Sequence, residues 1–240
     1  MNPDRPPVDA SETDAVRARY ARRAATDRYS PMQADVWQTL QERQRAMLQL
    51  FVHLGWTDLS ALRLLEVGCG GGANLLELLR LGFAPENLSG AELLAERCAQ
   101  ARRVLPASVT LHEGDALAMP LEAGSQHIVF ASTVFSSLLD DAFQQRLADT
   151  MWRWVKPGGG VLWYDFTFNN PANADVRGVP LRRVRQLFPQ ATVRARRVTL
   201  APPIARAVTR VHPSLYTAFN CLPLLRTHAL VWLGKPPSSA

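Results

Sequence analysis

Leu64-Leu65-Glu66-Val67-Gly68-Cys69-Gly70-Gly71-Gly72 is an apolar run that ends in an acid and opens directly into a glycine-rich loop. These residue types in this order suit a nucleotide-like ligand. Glycines let the chain turn sharply and bring bare backbone N–H groups close to what is bound. A helix that starts behind such a loop points its positive end at the same place. Alone, the pattern serves several nucleotide cofactors, and also tight strand–helix turns that bind nothing. Two further acids narrow the reading. Glu92 follows Gly72 by 20 residues and ends the next apolar run, where a carboxylate can accept both hydroxyls of a ribose. Gly114-Asp115-Ala116 ends a third run, where a carboxylate can accept a hydrogen bond from an adenine amino group. Val155-Lys156-Pro157-Gly158-Gly159 then turns the chain into a fifth.

These residues need strands and helices in alternation to hold them, and the patterning supplies both. Short buried strands are expected at Arg63–Val67, Leu88–Glu92, Val109–Glu113, His127–Ala131 and Gly160–Asp165. Helices are expected between them at Asn74–Leu81, Leu93–Val104 and Asp141–Val155. Strand–helix repetition of this kind specifies a parallel sheet covered on both faces. Before it stand two helices, one from Ser11 towards Ala25 and one after Ser30-Pro31, whose apolar positions Val36, Leu40, Met47, Leu48, Phe51 and Leu54 lie on one face. Beyond it come a helix at Leu181–Phe188 and strands at Ala191–Leu200 and Thr227–Leu233. The expected organisation is one domain: a disordered tail over 1–10, a helical cap over 11–56, a core over 57–200, a lid-like insertion over 201–226, and a last strand and tail over 227–240.

The composition bounds the function. The 240 residues are 47% apolar and hold no run long enough for a membrane span, and the first ten are polar, so a cytoplasmic location is expected. The three cysteines and five histidines show no ligand spacing; no metal is expected, and each cysteine is expected to be small, buried and reduced. The net charge of +6 conceals an asymmetry, because residues 171–240 carry 11 basic side chains against the single acid Asp175. A basic third beside a mildly acidic body favours an anionic partner.

Residues 60–166 resemble the class I S-adenosylmethionine-dependent methyltransferases in the glycine loop, Glu92, Gly114-Asp115-Ala116 and the Lys156-Pro157-Gly158-Gly159 turn. The resemblance implies an α/β, Rossmann-like doubly wound, mostly parallel seven-stranded sheet with an antiparallel last strand and N-terminal helices. It also implies S-adenosylmethionine as cofactor and S-adenosylhomocysteine as product. Glu66, Gly68 and Gly70 would surround the methionine part, Glu92 would hold the ribose, and Asp115 and Ala116 would meet the adenine. Ser132 would lie beside the sulfonium, and Tyr20, on a helix before the sheet, would cover the cofactor. One departure is Gln126-His127, where the family often has Phe-Asp at the start of the fourth strand. Asp165–Gly178 and Leu224–His228 are also similar to small bacterial methyltransferases of glycan and secondary-product clusters, which names no acceptor.

The acceptor belongs at the carboxyl ends of the strands. There Asp165 and His228 are the candidates to orient or deprotonate a hydroxyl, and Asn169, Asn170, Arg177 and Arg226 to bind substrate, the arginines through an anionic group. Each also has a structural alternative, as a turn cap, a satisfied strand histidine or a solvated face. The leading expectation is O- or N-methylation of a small or medium metabolite, an anionic sugar, glycolipid or secondary-product intermediate among them, by a monomer or homodimer. Peripheral membrane contact is open, since an apolar stripe over 204–219 runs beside Arg206 and Arg210. RNA methylation rests on the basic tail alone, and Ala131-Ser132-Thr133-Val134-Phe135 lacks the Pro-Pro pattern of amino-group methylases acting on bases. A nicotinamide oxidoreductase and a cofactor-binding protein without catalysis are the remaining alternatives.

Overall fold

The computed structural model describes residues 8–22, 30–169 and 173–237. Its seven-stranded sheet has β1 (Leu64–Val67), β2 (Leu88–Glu92), β3 (Thr110–Glu113), β4 (Gln126–Ser132), β5 (Val155–Phe166), β6 (Thr192–Leu200) and β7 (Arg226–Gly234), in the order β3-β2-β1-β4-β5-β7-β6. Strands β1 to β5 are mutually parallel, and only β7 runs against its neighbours. The chain leaves β1 towards β2 and β3, then returns to place β4 on the other side of β1. That reversal opens a crevice at the carboxyl ends of β1 and β4, where an open α/β sheet takes its ligand.

Successive buried residues of β5 and β7 alternate between two core layers, one on each face of the sheet. On one face α5 (Asp141–Trp154) and α6 (Leu181–Leu187) cover Leu65, Val129, Val161, Trp163 and Val231. On the other, α2 (Ala34–His53), α3 (Ala73–Leu81) and α4 (Ala95–Val104) cover Leu64, Ile128, Leu162, Tyr164 and Trp232. Burying one such side chain contributes about 1.5–3 kcal/mol, so these two layers dominate the stability.

Some boundaries differ from the sequence reading. Helix α1 spans Val8–Ala21, so it starts three residues before Ser11, and its continuation towards Ala25 lies outside the described residues. Strand β5 begins at Val155, not Gly160. The Lys156–Gly159 turn is absorbed as an irregularity against β4, with Gly158 at φ 79° and its N–H donated to the Lys235 carbonyl. Lys235 in turn donates Nζ to the carbonyls of Trp152 and Val155, which satisfies the end of α5. At the start of β4, where the family often has an acid, His127 Nδ1 accepts the Arg63 N–H at 3.0 Å. Cys69 and Cys98 are buried, but Cys221, at the end of α8 (Ser214–Asn220), is exposed.

The segment 201–226 folds as α7 (Pro202–Val211) and α8. Tyr216 anchors it with full burial: its hydroxyl lies 3.2 Å from Thr39 on α2 and accepts the Leu200 N–H at the end of β6. Through Tyr216 the lid-like insertion contacts α2 and the end of β6.

Candidate active site

The crevice is a cleft of about 160 Å³ at the carboxyl ends of β1, β2, β3 and β4. Gly68 lines its floor and Gly70 lies behind it, with φ of 69° and 55°, in the left-handed region that glycine adopts without strain. A Cβ on Gly68 would stand 2.8 Å from a Val134 methyl, inside contact distance. The N–H groups of Gly68 and Cys69 both donate to the Ala91 carbonyl, which ties the loop to β2.

Glu92 completes that tie. One carboxylate oxygen accepts the Gly70 N–H and the other the Leu94 N–H, both at 2.8 Å, and lone pairs are left over towards the cleft. Asp115 accepts the Leu117 N–H at 2.9 Å and the Thr13 hydroxyl at 3.3 Å, so α1 closes over the end of β3. Glu92, Asp115, Ala116 and Ser132 all line the cleft, as do Gly68 and Tyr20. Thr133, the residue after β4, sits at φ 54° and is held there by its N–H to the Tyr164 carbonyl. Such a strained non-glycine backbone persists only where the surroundings impose it.

Several lining residues escaped the sequence reading, among them Thr13 and Val16 on α1, Arg97 on α4 and Ser137 after β4. The Arg97 guanidinium lies 4.6 Å from the centre of the Tyr20 ring, so the two form one wall. A signal for Arg97 was its place one helical turn after the Glu92 loop. Nothing in sequence spacing could join Thr13 to Asp115. Helix α1 is locked down by a buried ion pair, Arg19 to Glu12 at 2.7 Å; Arg19 also donates to the Ser137 carbonyl and Glu12 accepts the Leu139 N–H.

Glu66 and Gly70 stand behind this surface. The Gly70 N–H is spent on Glu92. Glu66 is fully buried and accepts a 2.5 Å bond from Asn74 at the start of α3, while its second oxygen has no protein partner. Burial pushes its carboxyl up to about 8, against the opposing Asn74 bond and the nearby Arg43. Arg43, on α2, donates to Asn74 and Glu77 at 2.7 and 3.0 Å, and so completes a buried chain behind the loop.

Asp165 and His228 are not brought together. Asp165 is opposite Ala229 in the register and His228 is opposite Phe166, so the two side chains leave opposite faces of the sheet. Asp165 is buried and accepts the N–H of Ser136 and of Phe166, which fixes the loop after β4; burial raises its carboxyl to about 7. His228 stacks on Tyr164 at 5.1 Å, and burial, helped by Arg43, lowers it to about 4. Neither lines the cleft. Asn169 accepts the Gly178 N–H and closes its own loop. Arg226 donates to the carbonyls of Asn220 and Arg197. Arg177 pairs with Asp141 on the wall of a second cavity, of about 260 Å³. Asn170 lies outside the described residues.

The acceptor set suits a molecule with a diol and an amino-purine. Glu92 and Asp115 face the cleft as hydrogen-bond acceptors, and the apolar Ala116, Leu138 and Phe143 walls suit a flat ring. Residues 64–159 match the methyltransferase domain family. No curated protein matches by sequence. Among solved structures, an S-adenosylmethionine-dependent methyltransferase from Mesorhizobium loti superposes with a TM-score of 0.56 at 16% identity, over 80% of this chain and 95% of that one. Geranyl diphosphate C-methyltransferase from Streptomyces coelicolor does so at 0.56 and 14%, over 79% and 76%. Phosphoethanolamine N-methyltransferase 2 from Haemonchus contortus gives 0.56 and 17%, over 82% of this chain and 52% of that one. Residues 64–159 thus match a methyltransferase domain, and the fold around them is the Rossmann-like one of these S-adenosylmethionine-dependent methyltransferases.

Proposed function

We propose that the chain is an O- or N-methyltransferase for a small or medium acceptor that bears an anionic group. The observation that carries this reading is the convergence of Gly68, Glu92, Asp115, Ala116 and Ser132 from successive strand ends into one cleft under Tyr20. In the proposed roles, Glu92 accepts the ribose hydroxyls, Asp115 accepts the adenine amino group, and Ala116 lies along the ring. The bound cofactor supplies an already activated methyl group on a sulfonium, so the chain's task is alignment and exclusion of water. Tyr20, Val16 and Arg97 perform that exclusion by roofing the cleft.

The placement of Asp165 and His228 supports a positioning mechanism without a dedicated base, because both are engaged within the fold. The second cavity supports an anionic acceptor: Arg177, Arg182 and Arg183 line it with Asp141 as the only carboxylate. Incubation with isotope-labelled S-adenosylmethionine and extracts of the source organism tests the reading. The expected product is a labelled anionic metabolite whose formation stops with Glu92→Ala; labelled neutral products, or labelled RNA, would contradict it.

A further inference from the structure

Exposed apolar side chains are not scattered evenly over this molecule. Ten large ones are exposed among the described residues, and six of them sit at one rim of the sheet: Met32, Trp37, Phe168, Phe219, Leu222 and Leu224. Met32 and Leu224 are almost wholly free, at 89% and 88%. The topology shows that this rim is the one with the cleft. Phe168 lies two residues past the carboxyl end of β5. The segment 219–225 leads into the start of β7, which is antiparallel to β5, and the Leu225 carbonyl accepts the Ala201 N–H just past the end of β6. The start of α2 joins the rim through Thr39 and Tyr216, whereas Trp56, past the other end of α2, packs on Trp232 near the far edge.

The segments that carry these side chains are net positive. The segments 30–39, 167–169 and 201–226 contain Arg206, Arg210 and Arg226 against one acid, Asp35. Arg197 adds its guanidinium 5.6 Å from the Phe168 ring. Side chains of this kind, on separate loops and not in one groove, suit a fluid partner that can mould around each of them. Apolar tips beside arginines match the acyl–headgroup boundary of a bilayer with anionic lipids. No helix among the described residues is long and apolar enough to cross a membrane, so the contact is peripheral.

We propose that the carboxyl-end rim, built from the start of α2, the loop after β5 and the α8–β7 connection, docks on an anionic lipid bilayer and opens the cleft towards it. An acceptor held in that bilayer follows only if the proposed methyl transfer holds; the docking itself stands without it.

Co-sedimentation with phosphatidylcholine–phosphatidylglycerol vesicles, against phosphatidylcholine alone, tests the docking. The protein is expected to pellet with the anionic vesicles and to be released in part by salt. Leu222→Ser with Leu224→Ser should weaken binding by about tenfold or more through lost apolar contact. Arg206→Glu with Arg210→Glu should weaken it by about tenfold or more through reversed charge. All four side chains lie away from the cleft, so calorimetric affinity for S-adenosylmethionine and the melting temperature report that the variants fold. No pelleting while cofactor binding is intact overturns the docking and leaves the enzymatic reading untouched. Undiminished pelleting of both variants overturns it too, as does a dimer that the leucine variant abolishes, or retention on RNA in place of vesicles. Lost cofactor binding with vesicle binding kept would sink the methyltransferase reading alone.

Discussion

At the residue scale, Glu92 does two jobs that sequence spacing could not separate. In the proposed role it accepts the ribose hydroxyls, and it also holds the glycine loop to β2 through the Gly70 N–H. Glu92→Ala should therefore weaken S-adenosylmethionine binding by about a hundredfold or more, since charged hydrogen bonds contribute about 1.5–3 kcal/mol each and the loop loses its tie as well. Glu92→Gln keeps one acceptor and should lose less; titration calorimetry ranks the two. Asp165 makes the opposite prediction. Its partners are backbone N–H groups of Ser136 and Phe166, so Asp165→Asn should lower thermal stability yet leave kcat within about a factor of three of the parent. A collapse of kcat at unchanged stability would restore it as a catalytic base. Glu66 can be read through pH. Its folded-state value of about 8 stands above its ordinary 4.5, so the folded chain binds the extra proton and stability falls as pH rises between those values. Relative to Glu66→Gln, the parent should lose stability across that window in denaturant melts.

At the scale of elements, the strand–helix rhythm was legible because buried parallel strands are short apolar runs bounded by glycine or acid. The strand ends carrying Glu66, Glu92 and Asp115 lie where the runs placed them. Two things were not legible. Periodicity shows that Asp165 and His228 lie on strands, but only the β5–β7 register shows that they face apart. Likewise, α1 reads as a helix, but its docking depends on Arg19, Glu12 and Thr13 meeting loops more than a hundred residues away. Breaking that clamp with Arg19→Met leaves Glu12 buried without its partner. The expected results are roughly tenfold weaker cofactor binding and faster proteolysis within α1, with the sheet's amide protection unchanged. Equal proteolysis of parent and variant would show that α1 is held by its apolar face alone.

For the whole molecule, the basic asymmetry of residues 171–240 is clear in the sequence, while its meaning depends on which arginines are spent. Arg226 binds carbonyls and Arg177 pairs with Asp141, whereas Arg210 stands exposed on α7. His228 gives the fold a pH signature of its own. Its value of about 4 lies below the ordinary 6.5, so the unfolded chain binds the extra proton and stability is lost as pH falls through that interval. The parent should lose up to about 3 kcal/mol relative to His228→Gln between the two values, read from melts at each pH.

The proposed enzyme holds its cofactor in the cleft under Tyr20, between Gly68, Glu92 and Asp115. Titration calorimetry of S-adenosylmethionine into the parent and into Glu92→Ala, with NAD as control, tests it most directly. The predicted result is one site per chain for S-adenosylmethionine, about a hundredfold or more weaker in the variant, with no heat from NAD. Equal affinity in parent and variant, or NAD bound in preference, would contradict it.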